Sequence, residues 1–206
     1  MTYEICNIGD YTSAQYDAMY RAAAPERQAR ADRFRFEDDR RRCLCADMLA
    51  RRMLSDAAGV APADIAFSFG EKGKPSASVA LHFNVSHAGD FVLCAVADAP
   101  IGVDIEQIKP FRAGMVARYF TETEAAYVWG GSPIPDGNVT DPDACARFYR
   151  VWTAKEAYVK MTGTGISTDL TAVCYDPVAQ TVCGVRLITP DAPEGYVISI
   201  VKSDLA

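Results

Sequence analysis

The stretch Ile101-Gly102-Val103-Asp104-Ile105-Glu106 constrains this chain more than any other. Apolar residues alternate with small or acidic ones at a period of two, which reads as a strand. Side chains at i and i+2 share a face. Ile101, Val103 and Ile105 therefore call for a buried layer, while Asp104 and Glu106 project together on the other side. Two adjacent carboxylates repel unless a cation or a proton compensates them. Mg²⁺ takes one or two carboxylates together with phosphate oxygens and water, so it is one solution. Solvation is the other, and for an isolated pair of strand acids it is the commoner one.

A second acidic element lies about fifty residues on, at Trp152-Thr153-Ala154-Lys155-Glu156-Ala157-Tyr158-Val159-Lys160. Trp152, Glu156 and Lys160 recur at i, i+4 and i+8 and so share one side of a helix. Taken alone, Glu156 and Lys160 read as a surface pair contributing about 0.2–0.5 kcal/mol. Gly163 and Gly165 then stop the helix.

The rest of the chain reads as mixed α and β. Strands are expected at 3–8, 65–69, 81–85 and 91–97, and at 101–106 after a hairpin-like Asp98-Ala99-Pro100 connection. Three more are expected at 171–175, 182–188 and 196–202. Thr12 with Gln15, and Thr121 with Glu124, have the spacing of capping boxes and open helices. Another helix begins in the basic stretch after Pro25. Residues 38–57 carry one apolar face, and 144–161 form the helix of the second acidic element. Residues 70–75 form a turn whose spacing is wrong for a P-loop. Residues 130–143, rich in Gly, Pro and Asp, read as a surface loop. Tyr127 and Trp129 beside it either join the core or face a partner. The class is α+β.

The net charge of −6 argues against general nucleic-acid affinity. The charge is uneven, however. Residues 21–52 hold ten arginines against six acids, a local excess of +4. Such a patch on an acidic protein suits a small polyanion, although most of these arginines also fit solvated helix faces. No run approaches a membrane span, and no export signal opens the chain. The seven scattered cysteines contain no C-x-x-C and read as reduced thiols of a cytoplasmic protein. With only His82 and His87, a His/Cys zinc site is not expected. Ser86-His87 ends a strand without the nucleophile elbow of a hydrolase. It reads either as phosphate donors or as a structural turn.

In combination, Phe83-Asn84-Val85-Ser86-His87, Gly102-Val103-Asp104-Ile105-Glu106 and Trp152-x-x-Lys155-Glu156-Ala157-x-x-Lys160 resemble the signature of the 4′-phosphopantetheinyl transferases of the surfactin type. Gly73-Lys74-Pro75 fits as well, and the similarity runs from about Pro25 to Ile166. The resemblance implies a pseudo-twofold α+β fold of two similar halves, 1–101 and 102–206. It implies transfer of the phosphopantetheine arm of coenzyme A to a serine of an apo acyl or peptidyl carrier protein by a monomer, with Mg²⁺ or Mn²⁺. Asp104, Glu106 and Glu156 would be the metal ligands. Glu156 would be the base and Lys160 the cation on the pyrophosphate. Arg27, Arg30, Lys74, Ser86 and His87 would contact coenzyme A, with Cys43 where the family carries a hydroxyl residue. Two rivals remain at this stage: another Mg²⁺-dependent phosphoryl enzyme, and a module that binds carrier proteins without modifying them.

Overall fold

The computed structural model describes residues 1–70, 73–165 and 168–204. Glu71 and Lys72 of the expected turn, and Ile166 at the end of the family resemblance, lie outside them.

The chain opens with strand β1 (Thr2–Asn7) and helices α1 (Ser13–Ala22), α2 (Pro25–Ala31) and α3 (Glu37–Ala58). Both halves of the capping box at Thr12 and Gln15 are made, which fixes the start of α1. A short hairpin follows, β2 (Phe67–Phe69) with β3 (Pro75–Ala77). Then come β4 (His82–Ala88) and β5 (Phe91–Ala97). β5 lies between β1 and β4 in an antiparallel sheet. Leu44, Leu49, Met53 and Leu54 of α3 bury against Val92, Cys94 and Val96 on one face of that sheet.

The chain continues with β6 (Ile101–Gln107), followed by β7 (Phe111–Arg112), α4 (Gly114–Tyr119), α5 (Glu122–Trp129) and β8 (Asn138–Val139). The long helix α6 (Pro142–Thr162) comes next, then β9 (Tyr175–Asp176), β10 (Thr181–Val182), β11 (Val185–Ile188) and β12 (Tyr196–Lys202). The sheet order is β6-β12-β11-β10-β9. α6 crosses this sheet as α3 crosses the first. The remaining faces of the two sheets meet in a shared layer of Leu93, Ala95, Ile101, Val103, Ile105, Ile198 and Ile200.

Three sequence expectations are corrected. The connection at Asp98-Ala99-Pro100 is not a hairpin, because β5 pairs with β1 and β4 whereas β6 pairs with β12. β5 is buried on both faces, and β6 turns its Ile101, Val103 and Ile105 face to the shared layer, so the chain steps from one sheet to the other. The run 182–188 is not one strand. It folds back at Cys183-Gly184, with φ of 49° and 78°, the two positive values that a two-residue hairpin turn requires. In 171–175 the chain makes a short 3₁₀ turn at Leu170–Ala172 before β9. The loop 130–143 carries β8, which pairs with β7. Trp129 is core, stacked with Phe111, and Tyr127 packs partly buried against Tyr175.

β6 and α6 touch backbone to backbone. A methyl group on Gly102 would lie 2.0 Å from the Ala157 carbonyl oxygen and 2.3 Å from the Met161 nitrogen. Only glycine permits this approach. On the other side of β6, Asn84 and Ser86 of β4 take the place of a ladder. The Val103 N–H donates to Asn84 Oδ1 at 2.9 Å, and the Ile105 N–H to Ser86 Oγ at 3.4 Å.

Candidate active site

β6 presents Asp104 and Glu106 on the face away from Val103 and Ile105, as the alternation requires. α6 lays Trp152, Glu156 and Lys160 alongside them. Ser86 and His87 arrive from the end of β4. These side chains and Val85 line one open pocket of about 340 Å³.

The electrostatics there are unbalanced. Asp104 is buried, and its Oδ1 accepts from Lys160 Nζ at 2.6 Å and from Ser86 Oγ at 2.8 Å. Lys160 also donates to Ser86 at 3.0 Å. The second oxygen, Oδ2, is buried without a hydrogen-bond partner among the described residues. An unmet buried acceptor costs about 1–3 kcal/mol, more when charged. Glu106 is pushed up to about 7, first by desolvation and then by Asp104 and Glu156, with Lys160 and Lys109 opposing. Desolvation and Asp104 also raise Glu156, against Lys160. One ammonium thus faces three carboxylates.

The second pocket adjoins the first and shares Val85 and His87 with it. It has a volume of about 230 Å³ and is lined by Arg27, Arg30, Asp39, Cys43, Asp47 and Phe67 among others. α2 supplies both arginines, and α3 supplies Cys43 and Asp47. Arg27 Nε donates to Asp47 Oδ1 at 3.1 Å, and its Nη1 reaches Cys43 Sγ at 3.8 Å. Arg30 makes no salt bridge among the described residues. His87 opens to solvent at the junction. Desolvation by the pocket walls, then Arg42, Lys160 and Arg30, hold its imidazole below the usual range. A pocket that carries two arginines and an acidic pocket therefore meet at one histidine, an arrangement that suits an extended polyanion with a divalent cation at one end.

A family profile described as 4′-phosphopantetheinyl transferase superfamily matches residues 100–201, and one described as 4′-phosphopantetheinyl transferase, N-terminal, matches 10–99. A 4′-phosphopantetheinyl transferase of Bacillus subtilis is 36% identical over 161 residues, covering 77% of this chain and 68% of the relative. The protein psf-1 of Bacillus pumilus is 37% identical over 149 residues, 71% of this chain and 60% of its own length. Sfp of Bacillus subtilis strain 168 is 35% identical over 150 residues, 71% and 63%. The chain belongs to the 4′-phosphopantetheinyl transferase superfamily. The matched region spans about two thirds of the length of these relatives.

For this superfamily member the structure gathers most of the expected site residues. Asp104, Glu106, Glu156, Lys160, Ser86 and His87 share one pocket; Arg27, Arg30 and His87 share the other. Ser86 is buried, and its hydroxyl donates to Asp104 rather than into the pocket. Lys74 lies in neither pocket. Among the described residues no cluster of three or more His, Cys, Asp or Glu side chains is close enough to hold a metal ion as it stands.

Sequence reasoning passed over three buried charges. Asp47 braces both Arg27 and Arg51, the latter at 2.8 Å. Its position four residues before Arg51 was the available signal. Lys155 Nζ and Glu124 Oε2 form an ion pair at 2.6 Å with neither side chain exposed. Lys155 follows Phe148 and Val151 on the apolar stripe of α6, and a lysine in that register marks a buried partner. Of the seven cysteines, all unpaired, five are buried, whereas Cys174 and Cys183 are exposed. No helix among the described residues is long and apolar enough to cross a membrane.

Proposed function

We propose that this protein transfers the 4′-phosphopantetheine arm of coenzyme A to a serine of an apo acyl or peptidyl carrier protein, releasing 3′,5′-ADP, with Mg²⁺ or Mn²⁺ required. The observation that carries this reading is the meeting of the arginine pocket and the carboxylate pocket at His87. The family membership supports the same reaction class.

Residues of this chain suit a hard divalent cation. Asp104 Oδ2 and the raised Glu106 and Glu156 are oxygen donors whose negative charge the single ammonium of Lys160 compensates only in part. Asp104, Glu106 and Glu156 would hold the ion. Bound there, it would neutralise pyrophosphate oxygens and assist departure of the nucleotide.

The chain's own groups do the rest. Arg27, Arg30 and His87 hold the phosphates at the nucleotide end, by charge-assisted hydrogen bonds. Glu156 takes the proton from the carrier serine hydroxyl. The serine oxygen forms a bond to the β-phosphorus, and the bond from that phosphorus to the bridging oxygen breaks. The electron pair leaves on the 5′-phosphate of 3′,5′-ADP. Lys160, whose Nζ lies 2.6 Å from Asp104 Oδ1, moves to the developing charge. Catalysis here is positioning and electrostatics.

Intact-mass analysis tests this directly. Apo carrier proteins from fatty-acid, polyketide and nonribosomal-peptide assembly are incubated with the protein, coenzyme A and Mg²⁺. The expected result is a phosphopantetheine mass increment on at least one carrier, lost with chelator. Hydrolysis of coenzyme A with no gain in carrier mass would instead indicate a phosphoryl hydrolase.

A further inference from the structure

Lys74 precedes β3 and reaches across to β6 and α6. Its neighbours Gly73 and Pro75 line the arginine pocket, but its own stem runs the other way. That stem enters a small cavity with Asn84 and Val159, bordered by Val85, Glu156 and Lys160 of the carboxylate pocket. Lys74 Nζ donates to the Met161 carbonyl at 2.7 Å and lies 3.5 Å from that of Ile101. Gly163, the left-handed cap of α6, lies against the stem: a methyl group there would stand 3.3 Å from Lys74 Cδ.

Both acceptors belong to the elements that carry the site. Met161 is one residue beyond Lys160 and five beyond Glu156, in the last turn of α6. Carbonyls there have no partner within the helix, and a cation suits the negative end of its dipole. Ile101 opens β6, three residues before Asp104. Pro75 pairs with Phe69 in the β2–β3 hairpin, whose aromatic rings border the arginine pocket. One ammonium therefore ties the wall of one pocket to the strand and the helix of the other.

We infer that Lys74 is a positioning residue: it couples the nucleotide-side hairpin to the end of α6, so that Glu156 and Lys160 stand in reach of a substrate seated among the arginines. This rests on the transferase reading above, and it replaces the expectation that Lys74 contacts coenzyme A. Desolvation alone lowers the pKa of this half-buried ammonium.

The test compares Lys74→Met, Lys74→Gln and Lys74→Arg with the unaltered protein. Calorimetric titration with 3′,5′-ADP reads nucleotide binding without turnover. Hydrogen exchange over 157–163 reads the end of α6. Steady-state transfer to a carrier protein gives kcat and KM. The expected result for Lys74→Met is nucleotide affinity within about threefold of the unaltered protein and faster exchange at 157–163. The same variant should show kcat lower by on the order of a hundredfold, the scale of a misplacement near 1 Å. Lys74→Arg, which can still donate to both carbonyls, should restore part of kcat. If Lys74→Met does not fold, Lys74→Gln serves in the same three measurements. A loss of nucleotide affinity of roughly ten- to a hundredfold, the size of a charged hydrogen bond, with kcat and exchange unchanged would overturn the inference. Should the unaltered protein modify no carrier, the reaction assignment fails, whereas unchanged exchange at 157–163 in the variant is what fails Lys74.

Discussion

Replacing Lys155 with methionine should destabilise the fold without touching substrate. Its ammonium is fully buried and meets Glu124 Oε2 at 2.6 Å, the Leu170 carbonyl at 2.8 Å and the Tyr119 carbonyl at 3.0 Å. Glu124 is equally committed: Oε2 also accepts from the Thr121 N–H, and Oε1 from the Tyr175 N–H, each at 2.7 Å. The pair thus joins α5, α6 and the approach to β9. Lys155→Met leaves the carboxylate uncompensated, which costs about 3–5 kcal/mol. For a chain of this length each kcal/mol moves Tm by about 2–4 °C, so the midpoint should fall by roughly 6–20 °C. Glu124→Gln in the same chain removes the stranded charge while keeping one acceptor, and should recover about half of the loss. Chemical denaturation of both single variants and the double variant gives the coupling. A loss below about 1 kcal/mol for Lys155→Met, the scale of an exposed pair, would refute the reasoning. So would additivity of the two changes.

Three further outcomes are expected. Gly102→Ala drives a methyl group into the backbone of α6, so it should cost about 3 kcal/mol or more, or leave the protein insoluble; wild-type stability would show that β6 and α6 stand farther apart. In the metal-free protein, Glu106 binds its proton more tightly folded than unfolded. Stability should therefore fall as pH rises from about 4.5 through about 7, by on the order of 1–3 kcal/mol. Denaturation at pH 5.5 and 8 should show this fall shrinking in Glu106→Gln, and an identical pH slope in that variant would count against it. His87→Ala should weaken coenzyme A binding about tenfold or more, and its dephospho form less, since a charged hydrogen bond contributes about 1.5–3 kcal/mol. Equal losses for both ligands in calorimetry would take His87 away from the 3′-phosphate.

What was legible in the sequence is what has a period. Asp104 and Glu106 could be assigned to one face of β6, and Glu156 and Lys160 to one side of α6, because strand and helix geometry dictate it. The capping boxes at Thr12 and Thr121 located two helix starts, and both are formed. Illegible features depend on which element lies across from which. Nothing in Asp98-Ala99-Pro100 says that β6 leaves β5 for β12, since a short polar turn serves a hairpin and a sheet crossing alike. Lys74 stands in a family motif beside pocket residues, and only the approach of α6 turns its stem away from them. Ser86 likewise looked free to donate outward until β6 came within reach.

The backbone contact at Gly102 has a mechanical consequence. Where strand and helix meet with no side chain between them, there is no soft layer to compress. The acids of β6 and those of α6 must then shift as one rigid body, keeping their spacing through thermal motion. Compliance is left to the side-chain contacts of Asn84 and Ser86 with β6, and to the β2–β3 hairpin on its lysine tether. Any tightening around a substrate should come from that side, with the nucleotide wall closing onto a fixed anvil of carboxylates.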